Sequence, residues 1–208
     1  MQLLCALALQ LAWNLRHNCT IVDGMLQVQK KVIVAIDPGV YALGVAVLFG
    51  SELHWAGLVR GTRAKKGAAA SGAAWALLET LNRIGVLRWD LGVVEWPSQD
   101  DKRAARSRED VSDLTGVAGA CAAMLHMHGE LKTPMPGQWK GQVPKHIHHG
   151  RLFSAPVYQT RLPRPPVGYE PLGPGMLSEV ELGRIRWDNV RSENADIADA
   201  ILLGKWAA

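Results

Sequence analysis

A chain of 208 residues, 48% hydrophobic and 20% charged, is long enough for one domain with a full core and too ordinary for a disordered, collagen-like or coiled-coil protein. Its three cysteines, Cys5, Cys19 and Cys121, are too few and too scattered for a disulfide framework or a paired-cysteine zinc site. A net charge of +4 permits a polyanionic partner without requiring one.

Residues 1–28 read as a peripheral segment and 29–208 as the functional domain. The apolar run from Leu3 to Trp13 is shorter than the roughly 20 residues of a membrane span. Arg16, the first basic residue, follows that run, whereas a signal peptide carries its charge in front. The segment reads instead as an extra helix or as an over-long start with Met25 as initiator. Membrane insertion and secretion are not expected, and a cytoplasmic location is.

The β-branched run Val32 to Ile36 predicts a strand buried on both faces, and Asp37, Pro38 and Gly39 end it. Gly44 to Phe49 and Glu52 to Leu58 follow across tight turns, predicting an antiparallel meander of three strands. The spacing of Leu77, Leu78, Leu81 and Ile84 predicts a helix over 73–83. Leu91 to Glu95 reads as a fourth strand, Val111 to His128 as an alanine-rich helix, and Leu131 to Pro136 as a fifth strand. Gly116 and Gly119 give that helix a face suited to a dimer seam, or simply to its own sheet. Six prolines between Ser154 and Gly175 predict an extended excursion without regular structure. Asn194 to Ala207 reads as the closing helix. The whole is an α/β chain with a mixed five-stranded sheet, three antiparallel strands and then parallel ones, with helices on both faces.

Four acids stand out by position. Asp37 and Glu95 each end a strand, while Asp196 and Asp199, three apart, share one face at the start of the last helix. If the two strands are neighbours and the helix docks beside them, four carboxylates meet and need a cation. Hard oxygen ligands suit Mg²⁺ or Mn²⁺, and two such ions can drive phosphodiester cleavage. Each acid also has a plain reading, as turn, strand end or cap.

The same residues resemble a known family. Val32 to Leu48 is similar to the first motif of RuvC-like Holliday junction resolvases: an apolar strand, Asp-Pro-Gly, then a glycine before the second strand. Gly92 to Glu95 resembles that family's strand ending in Glu. Asn194 to Leu202 resembles its last motif, and Met135 to Arg151 the segment carrying a lysine, here Lys140. The divergent middle looks more like phage-type members. The resemblance implies a ribonuclease H-like fold and a homodimer that nicks four-way DNA junctions symmetrically, leaving 5′-phosphate and 3′-hydroxyl ends. It implies two Mg²⁺ ions (or Mn²⁺) on Asp37, Glu95, Asp196 and Asp199, with Lys140 near the scissile phosphate, in a bacterial or phage-infected cytoplasm. Other branched DNA, RNA–DNA hybrids, or binding without catalysis are the alternatives.

Basic residues are expected to meet the phosphates: Arg63, Lys65 and Lys66 in one loop, Lys102, Arg103 and Arg106 in a second, Lys140 and Lys145 in a third. The histidines 146, 148 and 149 match no zinc spacing well. Trp96 and Trp139 are candidates for stacking on DNA bases, and Trp75 and Trp206 for the core or an interface.

Overall fold

A computed structural model of the chain describes residues 19–22, 25–28, 30–61, 67–97, 108–163, 168 and 173–208. Residues 1–31 and 32–208 form separate compact units. In the first, β1 (Cys19–Val22) and β2 (Met25–Val28) pair antiparallel, two short strands that the sequence reading did not anticipate.

The second unit is built on β3 (Val32–Asp37), β4 (Ala42–Phe49), β5 (Glu52–Arg60), β6 (Leu91–Val94), β7 (Glu130–Lys132) and β8 (Ile185–Arg186). They form one six-stranded sheet in the order β7-β6-β3-β4-β5-β8. β3, β4 and β5 are the expected antiparallel meander, and β6 and β7 add parallel to β3. The two-residue β8, parallel to β5, makes the sheet six strands rather than five.

Strand periodicity sorts the core into two layers. Ile33, Ala35, Ala46, Leu48, Leu91 and Val93 face one layer, and Val34, Ile36, Val45, Val47 and Val94 face the other. The second layer is covered by α1 (Gly67–Arg83) and α2 (Arg108–His126) through Leu77, Leu81, Val117 and Cys121. Gly116 and Gly119 of α2 turn toward their own chain: a Cβ on either would come within 3.9 Å of Ala70 or Trp96 respectively. The first layer is covered by α7 (Arg191–Ala207) through Ile197, Ile201 and Leu203.

Between β7 and α7 the chain forms α3 (Pro136–Trp139), α4 (Lys145–Leu152), α5 (Ala155–Arg161) and α6 (Glu179–Gly183). Within the stretch 154–175, expected as an extended excursion, residues 155–161 instead form α5, and residues 164–167 and 169–172 lie outside the described residues. Pro156 sits in the first turn of α5, where its missing N–H has no intrahelical partner to lose. Tyr158 and Leu162 then join the core. Trp75 and Trp206, expected in the core or an interface, are 69% and 45% exposed in the unit as described. Among the described residues, no helix is long and apolar enough to cross a membrane.

Glu181 fastens α6 to the sheet and to α7. It accepts the Leu53 N–H at 2.9 Å, the Ser178 N–H at 3.0 Å and the Lys205 ammonium at 2.8 Å. Burial pushes its carboxyl up, but those donors outweigh burial and bring it down to about 2. A depressed folded value gives stability that is present above the ordinary 4.5 and lost as pH falls from there toward about 2. Glu181→Gln is expected to cost about 2 kcal/mol at pH 7, because Lys205 loses its charge partner. Its acid unfolding curve should be flatter than the parent's over pH 2–5, checked by urea melts across that range.

Candidate active site

The parity that builds the core also aims the acids. Ile33 and Ala35 face α7, so Asp37, two residues on, falls on the same side; Leu91 and Val93 place Glu95 there too. The Glu95 N–H donates to the Ile36 carbonyl at 3.0 Å, extending the parallel pairing and seating Glu95 beside Asp37. α7 brings Asp196 and Asp199 over the same edge. Its docking height is set at Gly44, the cross-strand partner of Asp37, where the backbone of Asp196 rests against the sheet.

α7 begins at Arg191, so the two aspartates lie in its second and third turns rather than its first. The helix dipole therefore does not account for them, and cationic side chains do. Lys140 Nζ lies 3.0 Å from Glu95 Oε2 and 3.2 Å from Asp199 Oδ2. Lys145 Nζ lies 2.8 Å from Asp199 Oδ2 and 3.9 Å from Asp196 Oδ1. Burial lowers both lysines' proton affinity, but Asp199 and Asp37 more than offset it and hold both ammoniums protonated.

Four carboxylates thus share two ammoniums. Burial raises the carboxyl of Asp37 well above its usual range, and repulsion from Asp199 and Glu95 adds to the rise. No hydrogen bond from another described residue reaches that carboxylate. Burial also raises Glu95 and Asp196, against the opposing pull of Lys140 and Lys145 respectively. Asp199 moves the other way: burial opposes it, but His149, Lys145 and Lys140 keep it ionised.

Two neutral donors complete the site. Trp139 Nε1 donates to Glu95 Oε2 at 2.9 Å, and Lys140 lies 4.6 Å from the centre of the Trp139 ring. Trp139 is therefore a buried support of Glu95 and not a surface for stacking bases. His149 Nε2 lies 2.8 Å from Asp199 Oδ1, and His148 Nε2 donates to the Lys140 carbonyl at 2.9 Å. The sequence reading missed His149 as a partner of the acids. The signal was its spacing, four residues after Lys145, which puts both on one face of α4.

Of the residues singled out in the sequence, Asp37, Glu95, Asp196, Asp199, Lys140 and Lys145 come together. Arg63, Lys65, Lys66, Lys102, Arg103 and Arg106 lie outside the described residues. Arg60, at the end of β5, is held by Asp188 at 2.7 Å and by Glu193, so its charge is already engaged. Trp96 packs against the α1–α2 layer.

No family model and no curated protein matches the chain. Among solved structures, it is similar to Thermus thermophilus RuvC in complex with a Holliday junction substrate, at 17% identity and TM-score 0.50, covering 84% of this chain and 91% of that one. A second T. thermophilus RuvC structure gives 18% and 0.43, covering 84% and 92%. The yeast mitochondrial Holliday junction resolvase Ydc2 gives 10% and 0.45, covering 86% and 79%. The fold of this chain is accordingly the ribonuclease H-like fold of RuvC.

Proposed function

We propose that the chain is a RuvC-like, metal-dependent DNA endonuclease that resolves four-way junctions by paired symmetric nicks. The observation that carries this reading is the convergence of Asp37, Glu95, Asp196 and Asp199 on one sheet edge, in a fold shared with a resolvase solved on its junction. A homodimer follows from the substrate, whose two-fold symmetry asks for two sites cutting opposite strands.

The acids fit Mg²⁺ by the chemistry of the donor set. They are hard oxygens, and the repelled Asp37 carboxylate has no donor of its own among the described residues. No three of the described side chains converge on one point ready to hold an ion; the Lys140 ammonium sits between Glu95 and Asp199. Asp37, Glu95, Asp196 and Asp199 would hold the metal once the ammoniums withdraw. Bound there, Mg²⁺ supplies Lewis acidity that eases ionisation of a water and offsets charge on the departing oxygen.

The chain's own groups do the rest. Trp139 and His149 fix the carboxylates of Glu95 and Asp199. Lys140 and Lys145, freed from the acids, place positive charge where an anionic phosphodiester must approach them. Hydrolysis joins the water oxygen to phosphorus and breaks the bond to O3′, which takes up a proton. The products are a 5′-phosphate and a 3′-hydroxyl.

Purified protein incubated with an immobile four-way junction, linear duplex and RNA–DNA hybrid, with and without Mg²⁺, tests the reading. Symmetric paired nicks on the junction alone, dependent on metal, are expected. Cutting of the hybrid instead would overturn the substrate, and junction binding without cutting would overturn the catalysis.

A further inference from the structure

α4 grips Asp199 with two side chains of different kinds. Lys145 and His149 stand four residues apart on the helix, and both lie 2.8 Å from the carboxylate, Lys145 at Oδ2 and His149 at Oδ1. Lys140 adds a second ammonium at Oδ2, 3.2 Å away. The lysines are charged groups on flexible stems, and the Lys145 side chain is 49% exposed, so it can swing out to solvent. His149 is 2% exposed and its ring is held by packing, so it has nowhere to go. An ionised carboxylate only accepts hydrogen bonds, so the proton of this contact sits on His149 Nε2.

We infer that His149 is a positioning residue: its Nε2–H pins Asp199 Oδ1, leaving Oδ2 as the oxygen turned to the acid cluster and open to an incoming divalent cation when the lysines withdraw. This rests on the metal-dependent reading above. It separates the two roles that a cationic environment could play. The lysines neutralise the cluster and can be displaced; the imidazole orients and stays. Partners that orient a metal-binding carboxylate typically change metal affinity by about 10- to 100-fold when removed.

Mn²⁺ binding to the intact protein, followed by electron paramagnetic resonance of the free ion, tests this apart from activity. The series is the parent, Asp37→Asn, His149→Phe, His149→Gln and His149→Asn, each with its melting temperature. Glutamine carries its amide nitrogen out to the position of Nε2, and asparagine does not. Mn²⁺ affinity about 10- to 100-fold weaker in the phenylalanine and asparagine variants, restored to within a few-fold of the parent by glutamine, is expected.

Parent-like Mn²⁺ binding in His149→Phe would overturn the positioning role, as would a glutamine variant as weak as the asparagine one. Should His149→Phe melt too low to measure, the glutamine–asparagine pair decides alone. A parent that binds no Mn²⁺, or an Asp37→Asn variant that binds it as well as the parent, overturns the metal reading itself. That failure shows in different samples from a failure of His149 alone.

Discussion

Asp37→Asn is expected to lower junction cleavage by about a thousandfold or more and, at the same time, to raise the melting temperature of the metal-free protein. The two effects have one cause. Asp37 is half-buried beside Asp199, Glu95 and Asp196, with no donor among the described residues, and its carboxyl is held well above the ordinary 3.8. A carboxyl raised on folding contributes stability that is full below the unfolded value and lost as pH climbs through the folded one. At neutral pH without metal, the charge at position 37 therefore works against the fold. Asparagine keeps the shape and removes the charge, a change of the kind that commonly yields about 1–2 kcal/mol. For a domain of this size that is roughly 3–6 °C.

Two comparisons check the sign. The advantage of Asp37→Asn should shrink as pH falls toward 4, where the parent's carboxyl is protonated as well. It should shrink or reverse on adding Mg²⁺, because an ion that binds only the folded parent stabilises it by mass action. Junction binding should survive the change. A variant that melts below the parent in metal-free buffer at pH 7 would contradict the repulsion, and one that still cuts would remove Asp37 from the chemistry.

The sheet was readable because its residues obey a period of two. The β-branched run from Val32 to Ile36 and the short run from Leu91 to Val94 state both that these are strands and, by parity, that Asp37 and Glu95 share a face. The start of α7 was less readable because of Asn194. As a sequence letter it looks like a helix cap, yet it lies inside the helix and is 1% exposed. Its side chain accepts the Asp188 N–H and donates to the carbonyls of Arg161 and Asp188, tying the preceding loop and the end of α5 to the helix. That long-range use of a local-looking residue moved the predicted start by three positions. His149 was hidden for a related reason. Its partner is 50 residues away, and the spacing from Lys145 puts both side chains on one helix face without saying what that face meets.

Gly44→Ala is expected to reduce cleavage by about a hundredfold and to cost about 3 kcal/mol. Gly44 lies directly across from Asp37 in the sheet, on the face that α7 covers. A Cβ there would sit 2.0 Å from the carbonyl oxygen of Asp196 and 2.4 Å from its carbonyl carbon. Those are backbone atoms in the middle of a helix and cannot rotate aside as the end of a side chain can. α7 must lift, carrying Asp196 and Asp199 away from Asp37 and Glu95, which the sheet holds in place. A displacement of about 1 Å is enough to lose two orders of magnitude in rate.

Gly204→Ala supplies the comparison. Its Cβ would also collide, at 2.3 Å from Leu48 Cδ1 and 3.2 Å from Ala35 Cβ, but the nearer atom is the end of a flexible side chain. The site is eight residues further along the helix, about 12 Å from Asp196. Its expected cost is about 1–2 kcal/mol of stability, with cleavage near the parent rate well below the melting temperature. Mn²⁺ affinity should follow the same division, weakened by Gly44→Ala and spared by Gly204→Ala, because only the first moves one pair of acids against the other. Equal losses of rate in the two variants would mean that the fold's overall stability, and not the docking height of α7 at Gly44, sets the geometry of the four acids.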